Sequence, residues 1–230
     1  KLTDIKQMES HLARIKIVQK INLLYEQLLS KHGNPSVPGQ WQLWCKRPKS
    51  KIEKEIIIIQ AILTQRANWK NVEMATFQLK QAKLLNIQSI AEAQYEIIEQ
   101  LIRPSGFYKQ KAKTLKEIAN FFISGYTMKK SEIFETSLLR KQLLSINGIG
   151  QETADDILLY AFERPIFVID EYTKRFVRRH NLSKQFSYES LQKLFENSLK
   201  KDYKIYQDYH ALIVIEMKNN DKNRHSNIYP

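Results

Sequence analysis

One stretch of the chain, INGIGQETADDIL (146–158), has residue types that could grip a phosphate. The residues before it, LLRKQLLS (138–145), repeat their apolar positions at helical spacing. NGIG cannot continue that helix, because glycines favour a tight turn with positive φ. A second helix is expected over 151–162. Between the two, Gly148, Ile149 and Gly150 would present backbone N–H groups beside a helix N-terminus, which suits a bound phosphate. A side chain at either glycine would hold the phosphate away. An ordinary helix–helix turn uses the same residues, and GIG alone favours that plainer reading. Further on, ERPIFVID (163–170) is extended and apolar and ends in an acid where a helix should begin. Asp170 can cap free N–H groups there, and those bonds together with the helix dipole favour its ionised form. Most aspartates in that position are only caps.

Helices must position these groups. The 230 residues hold six glycines and six prolines, too few turns for an all-β fold. Leu2, Ile5, Met8, Leu12, Ile15, Val18, Ile21, Leu24 and Leu28 share one stripe, so residues 2–31 form one long helix or two. HGNPSVPGQWQLWCKRPKS (32–50) reads as a loop or linker with two tryptophans. Helices are expected over 51–66, 68–81, 90–101, 108–124, 131–145 and 151–162, then 171–180, 187–201 and 203–217. The polar tail 218–230 is expected to fray.

The net charge is +13, which points to a polyanionic partner such as nucleic acid or an anionic lipid surface. A merely soluble basic protein has the same charge. The single cysteine, Cys45, cannot make an internal disulfide, a four-cysteine zinc site or an iron–sulfur cluster. It reads as a buried apolar residue, and no metal site is expected. The longest apolar runs, IIII (56–59) and ALIVI (211–215), fall far short of the roughly 20 residues that cross a membrane. No signal peptide is legible, although the sequence starts at Lys1 without a methionine. The cytoplasm is the default compartment.

What raises the phosphate reading is the surrounding sequence. From 143 the chain reads LLSINGIGQETADDILLYAFERPIFVIDEYTKRFVRR. This resembles the helix-hairpin-helix DNA glycosylase superfamily, the endonuclease III-like proteins, in its hairpin, its TA helix start, its Val-x-Asp ending and the basic helix that follows. AILTQRANWKNVEMA (61–75) and IRPSGFYKQKAKTLKEIA (102–119) match the same family in order and spacing. The resemblance covers roughly 50–217, and residues 1–20 have no evident counterpart.

The resemblance implies that Asp170 is the catalytic carboxylate of an N-glycosidic cleavage, and that double-stranded DNA with a flipped, damaged base is the partner. It implies that Asn147, Gly148, Ile149, Gly150 and Thr153 of the hairpin grip DNA. Bifunctional relatives carry a lysine two positions after the second glycine, where this chain has Glu152. A carboxylate cannot form an imine, so the implied reaction is hydrolysis without strand cleavage. Glu152 itself reads as a first-turn helix acid. The four cysteines that hold a [4Fe-4S] cluster in many relatives are missing, so no cluster is expected. The type that fits both departures is 3-methyladenine DNA glycosylase III, whose substrates are alkylated purines. The hairpin carbonyls could hold a monovalent cation.

Several residues keep two readings. Gln65 matches the family's wedge position and is equally a polar helix end. Trp41 and Trp44 stand where the family places base-pocket aromatics, which would favour a cationic base through cation–π attraction; both could instead bury against the N-terminal helix. Lys174 and Arg175, with Arg178 and Arg179, cluster after Asp170 as candidate phosphate contacts. Lys109, Lys113 and Lys116 share a helix face, and any of these cations could be a solvated face. His180, Tyr172 and His210 receive no role, His210 being a core or capping histidine on an apolar helix.

The expected fold is therefore all-α, with two helical lobes and a DNA cleft between them. Residues 51–165 would form a helical barrel carrying the hairpin (about 138–162), and 1–50 with 166–230 the second lobe. The protein is expected to be a monomer. Two rivals remain: a glycosylase for oxidised or mismatched bases, and a catalytically inactive DNA-binding module.

Overall fold

The stripe that starts at Leu2 forms one continuous helix. The protein is described here by a computed structural model that covers residues 2–35, 39–124, 128–131 and 133–226, and these contain helices and no strand. The first helices in chain order are α1 (Leu2–His32), α2 (Gln40–Trp44), α3 (Lys51–Leu63), α4 (Trp69–Gln81), α5 (Ile87–Glu92) and α6 (Tyr95–Ile102). After a short 3-10 turn, Arg103–Ser105, come α7 (Tyr108–Ser124), α8 (Met128–Ser131), α9 (Thr136–Leu144) and α10 (Gln151–Asp156). A π turn, Ile157–Ala161, extends α10, and α11 (Glu171–Arg179), α12 (Tyr188–Ser198) and α13 (Tyr203–Ser226) follow.

The chain divides into two compact units. One is Pro38–Arg164 and the other joins Lys1–Val37 to Pro165–Pro230. The boundary corrects the expected partition of 1–50, because residues 39–50 belong with the barrel helices. The reason is aromatic burial. Trp44 donates from Nε1 to Gln60 Oε1 at 2.8 Å, and its ring lies 5.0 Å from Tyr160 and 6.4 Å from Trp69. Apolar area of that size leaves water only where it meets the barrel.

Within the barrel unit, caps set the helix ends. Ser50 Oγ accepts from Glu53 N at 3.3 Å, and Glu53 Oε2 accepts from Ser50 N at 2.8 Å, so a reciprocal capping box starts α3. Asn68 caps α4 and Asn86 caps α5 in the same way with single bonds, to Asn71 N and Ser89 N. The single helix expected over 90–101 is instead two, broken where Ala93 turns extended. Lys116 explains the break. Its Nζ donates to the carbonyls of Ala91 and Ala93, each at 2.6 Å, and so closes the C-terminal end of α5. Lys116 is therefore a structural cation, and the solvated face it was expected to share keeps only the exposed Lys109 and Lys113.

In the other unit, α1 buries Ile21, Leu24 and Leu28, whereas Met8, Leu12 and Ile15 of the same stripe are exposed. Tyr209 of α13 donates to Ile21 O at 2.9 Å. The C-terminal expectation needs correction too: α13 does not stop at 217 but runs to Ser226. Glu216, near its middle, gathers Lys31 and His32 of α1 at 2.8 and 2.7 Å.

Candidate functional site

The hairpin sits between α9 and α10. Arg140 of α9 donates to both oxygens of the buried Asp155 of α10, at 2.6 and 3.0 Å, and this bidentate pair locks the two helices. Inside the turn, Ile146 N donates to Leu143 O and Ile149 N to Ile146 O, both at 3.1 Å. The Ile149 side chain is buried. Ile149 is thus an anchor whose amide is spent within the turn, and it does not present an N–H as expected. Gly148 and Gly150 are exposed, and among the described residues no acceptor meets their amides.

The two glycines differ. Gly148 has φ +87, and a Cβ there would stand 2.1 Å from Thr114 Oγ1. Gly150 has φ −92, and a Cβ there would meet nothing within 4 Å. Gly148 therefore serves the turn's own packing, while Gly150 leaves an open approach to the N-terminus of α10.

The carbonyl side of the turn is held from α7 and from the end of α3. Thr114 Oγ1 lies 3.1 Å from Asn147 O and 3.2 Å from Gln110 O, and Glu117 Oε2 accepts from Asn147 N at 3.1 Å. Gln65 Nε2 donates to Gly148 O and to Thr153 Oγ1, each at 3.0 Å. The proposed wedge residue is thus bonded to the hairpin, and the buried Thr153 receives it instead of facing outward. Glu152 is exposed in the first turn of α10, where an acid complements the helix dipole.

Asp170 lies in the other unit as the N-cap of α11. Its Oδ1 accepts from Thr173 N at 2.6 Å, and its Oδ2 stands 3.6 Å from His210 Nε2 of α13. Burial works against its charge, yet His210 and the Thr173 N–H outweigh burial and hold the carboxyl below its ordinary value. Burial, then the Asp170 charge, pushes the neighbouring Tyr172 phenol up. Arg175 is not a spare phosphate contact: it pairs with Asp221 and stacks over Tyr172 at 5.6 Å. Lys174 is half-buried beside them. Trp44 is a core residue with no ring face left for a ligand, and Trp41, 5.9 Å from Tyr160, is the less deeply buried of the two. Sequence reasoning placed His210 in the core, where it lies, without its contact to Asp170, and missed Thr114 and Glu117. A lone histidine inside the apolar run YHALIVI was the one signal for the first; the other two act across 30 or more residues of chain.

A capped acid after a glycine hairpin, on an all-helical frame, defines a class. Residues 59–201 match the family described as HhH-GPD superfamily base excision DNA repair protein, and the chain belongs to it. A candidate DNA repair glycosylase of Methanocaldococcus jannaschii is 46% identical over 167 residues, which are 70% of this chain and 76% of that protein. The endonuclease III of Thermotoga maritima is 29% identical over 123 residues, 54% of each chain. Among solved structures, the H. pylori 3-methyladenine DNA glycosylase MagIII bound to 1,N6-ethenoadenine superposes with a TM-score of 0.70 at 26% identity, covering 90% of this chain and 98% of that one. A trapped endonuclease III–DNA covalent intermediate superposes at 0.67 with 19% identity over 86% and 84%, a likeness of fold. No described helix is long and apolar enough to cross a membrane.

Proposed function

We propose that this DNA glycosylase is monofunctional and removes alkylated purines from double-stranded DNA. The observation that carries the reading is the placement of Asp170, capped at Oδ1 by the Thr173 amide, with surroundings that hold its carboxyl below its ordinary value. Cleavage of an N-glycosidic bond builds positive charge on the sugar, which a fixed carboxylate stabilises. Water attacks C1′ as the bond to the base breaks. The bonding pair leaves with the base, and Asp170 takes the proton from the water. An N-alkylated purine is cationic and departs neutral, so no general acid is needed. Glu152 supports hydrolysis over imine chemistry, because a carboxylate offers no amine. The likeness to MagIII supports the alkylated purine as substrate class.

In this reading the Gly148 and Gly150 amides meet a backbone phosphate, Lys174 meets another, Gln65 exchanges its hairpin bonds for the duplex as the base flips out, and Trp41 faces the extruded base. The enzyme works as a monomer beside DNA in the cytoplasm, without an iron–sulfur cluster. A monovalent cation at the hairpin would share carbonyls that already accept internal bonds.

Base release from duplexes carrying 3-methyladenine, set against duplexes with oxidised pyrimidines or mismatches, tests the substrate. Release of the latter alone overturns the alkylated-purine reading. Asp170→Asn is expected to lower release at least about a hundredfold. Borohydride treatment is expected to trap no covalent protein–DNA adduct, and a trapped adduct would refute monofunctionality.

A further inference from the structure

His210 is a buried titratable side chain that the reaction above leaves without a task. It sits on α13 with its side chain 4% exposed, and the Asp170 side chain beside it is 14% exposed. The two carboxylate oxygens have different fates. Oδ1 is fixed by the Thr173 amide at 2.6 Å, whereas Oδ2, the oxygen left to work on water, faces His210 Nε2 at 3.6 Å. That separation is a charge contact, longer than a direct hydrogen bond. The Phe167 ring stands edge-on to the imidazole, with centroids 6.4 Å apart at 87°, and limits how it can turn.

Lys174 of α11 is half-buried and Arg179 exposed, Lys218 of α13 lies over the Tyr172 ring at 5.5 Å, and the other charged groups packed here have partners. On α11, Arg175 pairs with Asp221, and Arg178 reaches Glu171 at 3.4 Å. From α1, Lys31 and His32 are held by Glu216. Segment 165–169 contributes the apolar Phe167, Val168 and Ile169. Tyr172 brings a phenol whose proton is held more tightly than usual. The imidazole is the group placed to balance the acid. A carboxylate drawn this far from water takes up a proton unless a cation compensates it.

We infer that His210 is a positioning residue for hydrolysis: its Nε2, 3.6 Å from Asp170 Oδ2, holds that oxygen and orients it toward the water. The inference rests on Asp170 being the catalytic carboxylate. The rate should then fall at low pH, as Asp170 gains a proton.

The test compares single-turnover base release from methylated duplex DNA across pH for the parent, His210→Asn and Asp170→Asn. The expected result for His210→Asn is a maximal rate about tenfold lower and an acid limb moved to higher pH. A purely structural histidine would lower the amplitude and leave the acid limb where it was, and that result overturns the inference. Parent-like activity in Asp170→Asn would instead overturn the catalytic assignment. A second measurement needs no substrate and guards against misfolding of the histidine variant. The ring resonances of His210 are recorded by NMR in the parent and in Asp170→Asn. They are expected to move when the carboxylate beside Nε2 becomes an amide, and unchanged resonances overturn the inference.

Discussion

Gly148 and Gly150 are alike in sequence and do different jobs. An alanine at 148 would have to hold φ +87 and push its Cβ into Thr114 Oγ1, 2.1 Å away. We expect Gly148→Ala to cost about 3 kcal/mol, from a left-handed backbone and overpacking together, read as a drop in Tm. Gly150→Ala faces neither difficulty. It should leave Tm within a degree or two of the parent and weaken binding to undamaged duplex about tenfold, because the methyl group would stand in the open approach where the proposed phosphate contact lies. Loss of stability at 150 or unchanged DNA affinity would contradict that division. The motif revealed that a turn was present. It could not separate the residues that build the turn from those that face the ligand, since Thr114 reaches the turn across 33 residues of chain. Gln65 illustrates the same limit. Its type and place suggest a wedge, and only the fold reveals the two bonds it must give up first.

Helix ends and the contacts between helices carry the next level of specificity, and two charged groups, one buried and one half-buried, govern them. Lys111 is buried on α7, and its Nζ donates to Leu63 O at the end of α3 at 2.8 Å and to Ser105 O at 2.7 Å. Burial holds its pKa at about 8. Lys111→Met would leave both carbonyls without a donor, at a cost of about 2 kcal/mol. It should also loosen Gln65, two residues beyond Leu63, so amide exchange at residues 64–66 should rise more than in the rest of the barrel. Glu216 does the corresponding work between α1 and α13. Burial acts to raise its pKa, but the bonds from Lys31, His32 and Asn220 outweigh burial and bring it to about 2. A carboxyl depressed in the folded state stabilises fully above its unfolded value near 4.5, and that stabilisation fades as the pH falls toward 2. Glu216→Gln should therefore lose about 2 kcal/mol at neutral pH and show a flatter stability curve between pH 4.5 and 2. A parallel acid transition in both proteins would refute this. The long helices α1, α3, α4 and α7 follow from apolar spacing and caps. The break at Ala93, the helix at 40–44 and the extension of α13 do not, because Lys116, Tyr160 and Arg175 impose or secure them from elsewhere in the chain.

At the scale of the whole molecule, the charge that first suggested DNA overstates the number of DNA contacts. The chain has 37 lysines and arginines against 24 acids. Several of those cations are spent inside the fold. Lys111 and Lys116 hold helix carbonyls, Arg140 holds Asp155, Arg175 holds Asp221, Lys31 holds Glu216, and the fully buried Lys49 stands 3.7 Å from Glu163. A salt titration measures the cations that do meet phosphate. Each neutralised phosphate releases condensed counterions, so log Kobs against log salt falls with a slope of about −0.9 per contact. If the net charge of +13 acted as a uniform surface, the slope would approach −12. A site limited to the hairpin, Lys174 and a few neighbours makes about five contacts and should give a slope of about −4 to −5. Lys174→Ala should reduce its magnitude by about one. Lys116→Ala should lower Tm and leave the slope unchanged, because its charge is committed to the end of α5. A slope steeper than about −9 in the parent, or a change in slope with Lys116→Ala, would mean that cations assigned here to the fold also grip the duplex.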